Sequence, residues 1–143
     1  MTFIEIIRAA KQSGHAAQLS GVIPYAEFMG FEVELADDGL VCAMPFQKHL
    51  VGNPILPALH GGTISALLEN AALMALIWET DTAGVPKTIN ISVEYLRSGR
   101  TRDTFAQGLI TKQGRRVANV RVEAWQDDRA KPIAAAHGHF LLV

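Results

Sequence analysis

The 143-residue sequence has only one cysteine, Cys42, so it cannot form an internal disulfide. A chain without disulfides suits a reducing compartment, and we expect a cytoplasmic protein. Membrane spans need roughly 18 consecutive apolar residues, and the run from Ala71 to Trp78 is too short, so we expect no membrane partner. Glu5 lies where a secretory signal would need an apolar core, and we therefore expect no signal peptide.

The chain also lacks an excess of either charge. Its formal net charge is −1, so it has no overall electrostatic attraction to nucleic acid. The distribution is uneven, because residues 97–121 carry seven Lys and Arg against Asp103 alone. As a group these cations favour an anionic ligand, although for any one of them a solvated turn is the simpler explanation.

Hydrophobic periodicity predicts one domain spanning residues 1–143, with a short N-terminal helix at about residues 2–20. Residues 30–46 alternate apolar and polar side chains around Asp37-Asp38-Gly39, which predicts a β-hairpin. Residues 61 to about 80 predict a long helix, and four strand-like runs separated by polar segments follow. This order predicts an antiparallel meander that packs against the single long helix.

The predicted central helix contains one acid in its middle, Glu69, among apolar and small residues. Burying an unpaired carboxylate costs several kcal/mol, so Glu69 either pairs with an arginine, caps a backbone or serves a function. Gly61 and Gly62 begin the helix at a cost of about 1 kcal/mol each relative to alanine. They leave the first N–H groups uncovered at the positive end of the helix dipole, where an anion or a carbonyl oxygen gaining negative charge would bind. With His60 directly before them, the catalytic interpretation is favoured.

The spacing of these residues limits how they can cooperate. Gly62 and Glu69 are seven residues apart, which is roughly 10 Å along a helix axis. One small reacting group cannot contact both within one chain. A two-fold homodimer, with two composite sites, would bring one residue from each chain together.

Other possible sites have weaker patterns. His137 and His139 lie on one face of a strand without a third ligand at a suitable spacing, so we expect no metal. No phosphate-binding loop or dinucleotide fingerprint is present. Ser65 lacks the surrounding G-x-S-x-G sequence of a serine nucleophile, and packing is its simpler role.

A family resemblance is visible in "LHGGTISALLENAALMAL", which follows "GNP" and precedes "INISVEYLRSG", "KQGRRVANVRVEAW" and "AAAHGHFLL". These segments resemble the hot-dog-fold acyl-CoA thioesterases of the phenylacetate-pathway type, in the 4-hydroxybenzoyl-CoA thioesterase superfamily. The similarity runs from about Ile23 to the end of the chain. It implies an α+β hot-dog fold with an antiparallel sheet around a long central helix. It also implies a homodimer or dimer of dimers that hydrolyses an acyl-CoA or aryl-CoA to free acid and CoA without metal or cofactor.

The resemblance also implies roles for individual residues. Glu69 corresponds to the catalytic acid, acting as general base on water or as nucleophile. Gly61 corresponds to the glycine whose N–H polarises the thioester carbonyl, while Asn53 and His60 orient the thioester and the water. Thr88 lies where the family has a Ser or Thr that helps to hold the water. The expected substrate-binding residues are Gly62, Arg97, Ser98, Arg100, Lys112, Arg115 and Arg116, the cations facing the nucleotide end of CoA.

Two other functions stay open at this point. A hot-dog enoyl-CoA hydratase or dehydratase would use a His/acid pair to move a proton, without releasing a thiol. A non-catalytic acyl-CoA-binding module would bind the ester without turnover. Such regulators usually carry an added DNA-binding segment, for which 143 residues with a short N-terminal helix leave little room.

Overall fold

The computed structural model describes all 143 residues of the chain. Its helices are α1 (Phe3–Ser13), α2 (Pro24–Met29) and α3 (Gly61–Glu79), with short 3-10 turns at Ala16–Leu19 and Lys48–Leu50. Its strands are β1 (Glu32–Ala36), β2 (Gly39–Met44), β3 (Val51–Asn53), β4 (Ala58–Leu59), β5 (Lys87–Tyr95), β6 (Thr104–Gln113), β7 (Val117–Trp125) and β8 (Ala134–Leu141).

Six of the strands form one antiparallel sheet in the order β1-β2-β6-β7-β8-β5, and α3 packs against it. This arrangement confirms the predicted fold, an antiparallel sheet around a long central helix. Strands β3 and β4 form a separate two-stranded hairpin.

The predicted meander is correct for β6, β7 and β8 but wrong for β5. Strand β5 pairs with β8, not with β6, which follows it in sequence and pairs instead with β2 and β7. The segment between β5 and β6, residues 96–103, is a connection that crosses an end of the sheet and not a tight turn. Local sequence marks where strands end but carries no signal for such a long-range pairing.

The N-terminal helix is shorter than the predicted range. Thr2 and Glu5 form a capping box at its start, and Gly14 ends it in the left-handed conformation with φ 73°. Helix α2 was not expected from the sequence; Pro24 occupies a favourable first-turn position, and Gly30 ends the helix at φ 76°.

Helix α3 lies so close to the sheet that a glycine is required beneath it. A Cβ placed on Gly108 would lie 3.1 Å from the Ala71 carbonyl oxygen and 3.2 Å from the Ala75 Cβ. By length and composition alone α3 is apolar enough to cross a membrane, yet 56% of that apolar window is buried within the fold. Core packing therefore accounts for its apolar character.

The sheet does not cover α3 evenly. Apart from Trp78 near its end, the half-buried residues of the helix recur at intervals of three and four, which places them on one strip of the surface. We call this the open strip of α3; it consists of Gly61, Ser65, Ala66, Glu69 and Leu73. Expected to be buried on nearly all sides, the helix instead has one incompletely covered face.

We expect Gly108→Ala to lower the free energy of unfolding by about 1–3 kcal/mol, because the added methyl group would force α3 away from the sheet. Urea unfolding measures this difference. Gly84→Ala is the matched control, since a Cβ there meets only the Val143 side chain at an ordinary 3.6 Å. Equal stability of the two variants would contradict the close packing.

Candidate active site

His60 caps the first turn of α3 with its imidazole ring. The backbone of His60 is extended at φ −66° and ψ 131°, and its Nδ1 accepts a hydrogen bond of 2.9 Å from the Gly62 N–H. A ring nitrogen that accepts a hydrogen bond carries no proton. The imidazole in this arrangement is therefore neutral, and its proton is on Nε2.

The first four N–H groups of α3 leave one free donor. The N–H groups of Thr63 and Ile64 reach the His60 carbonyl oxygen at 3.0 and 3.3 Å, and that of Gly62 reaches His60 Nδ1. The Gly61 N–H donates to no atom of the chain, so it can bind a ligand at the positive end of the helix dipole. Gly62, expected to supply a second donor, has its N–H occupied in this conformation.

Glu69 lies half-buried on the open strip of α3. Its carboxylate makes no hydrogen bond or ion pair within the chain; the two ion pairs present are Arg102–Asp127 and Arg129–Asp38. The alternative that Glu69 pairs with an arginine of its own chain is therefore not observed. Eight residues separate it from Gly61, which is about 12 Å along the helix.

Asn53 holds its own loop rather than contacting His60. Its Oδ1 accepts hydrogen bonds from the backbone N–H groups of Ile55 and Leu56, at 3.0 and 3.2 Å. The loop between β3 and β4 thereby presents Ile55, which is 91% exposed. No hydrogen bond joins Asn53 to His60 within the chain, and their expected role in orienting the thioester and the water stays a prediction.

Thr88 lies far from the Gly61 of its own chain. Tyr95, at the other end of β5, contacts Gly61, and seven residues of strand correspond to about 23 Å. Lys87 pairs with Leu141 beside the hairpin between β6 and β7, near the C-terminal end of α3. Thr88 therefore lies near the C-terminal end of α3.

The predicted cationic group divides between the two ends of α3. Near its start, a groove of about 360 Å³ is lined by Arg97, Ser98 and Arg100, and also by Asp127 and Asp128. At its other end, the turn between β6 and β7 forms a hollow of about 800 Å³. The cations lining this hollow are Lys112, Arg115 and Arg116, and no acid accompanies them.

Tyr95 is a site residue that the sequence analysis missed. Its hydroxyl donates a 2.8 Å hydrogen bond to the Gly61 carbonyl oxygen and lies 2.6 Å from Ser65 Oγ. An aromatic residue at the end of a strand gives no sign in the sequence that it will reach a helix terminus 34 residues earlier. Only the packing of β5 beside α3 reveals this contact.

Two residues with raised pKa values, Cys42 and Glu79, lie outside the open strip of α3. Burial raises the pKa of the Cys42 thiol to about 12, and Asn70 donates to its sulfur at 3.6 Å. Burial also raises the pKa of Glu79, at the far end of α3. No group of three or more His, Cys, Asp or Glu side chains is placed to hold a metal ion.

The sheet, its central helix and the polar residues at the helix start define a hot-dog α+β protein. The sequence model of the Thioesterase superfamily matches residues 56–133, more than half of the chain, and the chain belongs to this family. A Salmonella typhimurium relative, the medium/long-chain acyl-CoA thioesterase YigI, is 29% identical over 121 residues, covering 75% of this chain and 78% of that protein.

Solved structures show the same fold. A Chromobacterium violaceum protein is 39% identical, with a TM-score of 0.78 and 97% of each chain covered. A Bacillus halodurans protein, solved with CoA, is 21% identical, with a TM-score of 0.71 over 99% of this chain and 88% of that one.

Because His60 caps α3, we expect His60→Ala to lower the free energy of unfolding by about 1 kcal/mol. His60→Asn keeps a capping acceptor and is expected to stay within about 0.5 kcal/mol of wild type. Thermal or urea unfolding of the three proteins measures these differences. If the Ala and Asn variants were equally stable, the cap would not contribute.

Proposed function

We propose that the protein is an acyl-CoA thioesterase, which converts an acyl-CoA and water into a free acid and CoA. Membership of the Thioesterase superfamily and the activity of the YigI relative support this proposal. The observation that carries it is a free backbone donor, Gly61 N–H, beside His60 on a helix whose open strip also holds the unpaired carboxylate of Glu69.

The chemistry follows from these groups. The Gly61 N–H, together with the Nε2–H of His60, would stabilise the negative charge that develops on the thioester oxygen. Such donors are typically worth a factor of about 10²–10³ in rate. Glu69 would either take a proton from the attacking water or attack the carbonyl carbon itself. In both cases the C–S bond breaks and CoA leaves as its thiolate. In the second case water then hydrolyses the anhydride formed on Glu69, which releases the free acid and restores the carboxylate. Thr88 would help to hold the water, and Asn53 would shape the loop beside the site.

A second copy of the chain would complete the site. Gly61 and Glu69 are about 12 Å apart along α3, too far to act on one carbonyl group within one chain. Strand β5 is a free edge of nine residues with Ile89 and Tyr95 each 54% exposed, whereas the opposite edge, β1, carries exposed Glu32 and Glu34. A long free edge invites antiparallel pairing with another β5, whose own charges, Lys87 and Glu94, lie near its two ends; β1 is only five residues long and carries two acids.

Such a two-fold pairing would also regroup the predicted residues. When two α3 helices run antiparallel, the C-terminal end of one helix approaches the N-terminal end of the other. Thr88 and the cationic turn between β6 and β7 of one chain then lie near Gly61 and Arg97 of the other chain. Cations from both chains would then surround the anionic nucleotide end of CoA. The family resemblance also implies a further pairing of two dimers into a tetramer.

The proposed reaction needs water and protein side chains but no metal or cofactor. We place it in the cytoplasm, where the single buried thiol of Cys42 would remain reduced. The named activity of the YigI relative makes medium- and long-chain acyl-CoAs the first substrates to test, with short-chain and aryl esters beside them.

We expect Glu69→Gln to reduce kcat by at least about 10³-fold, because the amide can neither accept the water proton nor attack the carbonyl. Release of CoA is followed with dithiobis-nitrobenzoate, to which the protonated, buried Cys42 contributes no background. Glu79→Gln, at the far end of the same helix, is the matched control and should retain wild-type turnover.

Wild-type rates in Glu69→Gln would refute the assignment of the catalytic acid. If wild type changed the ultraviolet absorbance of an enoyl-CoA without releasing thiol, the hydratase alternative would be correct. Tight CoA-ester binding with no turnover of any ester would indicate a binding module.

A composite site predicts complementation between two inactive variants. Gly61→Pro removes the N–H at a first-turn position, and the extended backbone of His60 suits the residue before a proline. Its ring also crowds Tyr95 of the same chain, so the variant inactivates the site at the start of its own α3 and leaves its Glu69 intact. The Gly61→Pro and Glu69→Gln variants are mixed, dissociated and allowed to reassociate. About half of the dimers then contain one chain of each variant, and each of these has one intact site out of two. We therefore expect about one quarter of wild-type activity. No recovery in verified mixed dimers would place both residues of a working site in one chain.

A further inference from the structure

Tyr95 reaches across the open strip of α3 between the two proposed catalytic groups. Gly61, Ser65 and Glu69 follow one another at intervals of four residues on this strip. The Tyr95 hydroxyl lies 2.8 Å from the Gly61 carbonyl oxygen and 2.6 Å from Ser65 Oγ. A Cβ on residue 61 would lie 3.3 Å from the Tyr95 hydroxyl and ring, so glycine at this position leaves room for the tyrosine.

The direction of these hydrogen bonds is fixed by chemistry. The Gly61 carbonyl oxygen can only accept, so the single proton of the Tyr95 hydroxyl is donated to it. The Ser65 hydroxyl must then donate its own proton to the Tyr95 oxygen. The result is a one-way chain of donors from Ser65 through Tyr95 to the Gly61–Gly62 peptide group, in which each bond polarises the next.

The same peptide group leads on to His60. The Gly61 carbonyl oxygen and the Gly62 N–H belong to one planar unit, and that N–H donates to His60 Nδ1 at 2.9 Å. Holding the carbonyl end of the plane therefore fixes the direction of its N–H end. That N–H in turn keeps the imidazole proton on Nε2, facing away from the cap.

We propose that Tyr95 is a positioning residue that, through the Gly61–Gly62 peptide group, fixes the tautomer and orientation of His60. This role rests on the proposed thioesterase function, in which the His60 Nε2–H is a donor to the thioester. Tyr95 does not contact the reacting atoms. It holds the first turn of α3 so that the Gly61 N–H and the His60 Nε2–H point to one oxygen position.

Tyr95→Phe tests this role, because it removes only the hydroxyl group. We expect kcat to fall about 10-fold, less than the loss of a whole oxyanion donor, with KM within about twofold of wild type. Nitrogen-15 spectra of the imidazole groups at pH 8 should show His60 protonated on Nε2 in wild type and as a mixture of tautomers in the variant. The His60→Asn variant identifies the His60 signal among the five histidines of the chain.

Tyr25→Phe is the matched control, since Tyr25 is the other tyrosine of the chain and lies 56% exposed on α2. It should keep the wild-type kcat and His60 spectrum. Ser65→Ala, which removes the first donor of the chain, should give a smaller loss of about threefold in kcat. If thermal unfolding shows that Tyr95→Phe does not fold, Ser65→Ala serves as the test in its place.

Two results would overturn the inference. One is wild-type kcat in folded Tyr95→Phe; the other is a reduced kcat with an unchanged His60 tautomer. The tautomer comparison needs no substrate, so it remains decisive if wild type fails to hydrolyse any acyl-CoA. That failure would count against the proposed function alone.

Discussion

Burial of the apolar helix α3 against one face of the sheet is the constraint on which the rest of the structure depends. The inward-facing residues of β7, such as Val120 and Val122, are almost completely buried beneath the helix, and Gly108 allows its backbone to approach closely. A sheet can cover only part of the helix that packs on it, so one strip of α3 stays partly open. Gly61 and Glu69 of the candidate site lie on that strip, where a ligand can reach them.

The hydrogen bonds at the start of α3 explain how a helix terminus keeps only one free backbone donor for a ligand. A helix begins with unsatisfied donors, and here the backbone and ring of His60 satisfy all but one of them. The Gly61 N–H remains free, while Tyr95 holds the carbonyl group of the same residue. The cap therefore both stabilises the helix and leaves a single free donor.

Sequence periodicity predicted the elements that depend on local interactions. Helix α3 runs from Gly61 to Glu79 as expected, since a proline-free run of Ala, Leu and Met favours a helix in any context. The hairpin of β1 and β2 follows from alternation around Asp38-Gly39 in the same way. The partner of β5 was not predictable, because pairing across the sheet depends on side chains distant in sequence and on how the chain crosses from β5 to β6.

By itself the sequence determined the fold class, the acid in the middle of the helix and the separation between Gly61 and Glu69 on which the proposed dimer rests, because all three follow from residue type and spacing. Tertiary structure alone decided what the polar groups contact. It turned Asn53 to its own loop, His60 to the Gly62 N–H and Tyr95 to Gly61, and it divided the cations between the two ends of α3. A hydrogen bond depends on ångström distances between atoms, which packing sets and residue order does not.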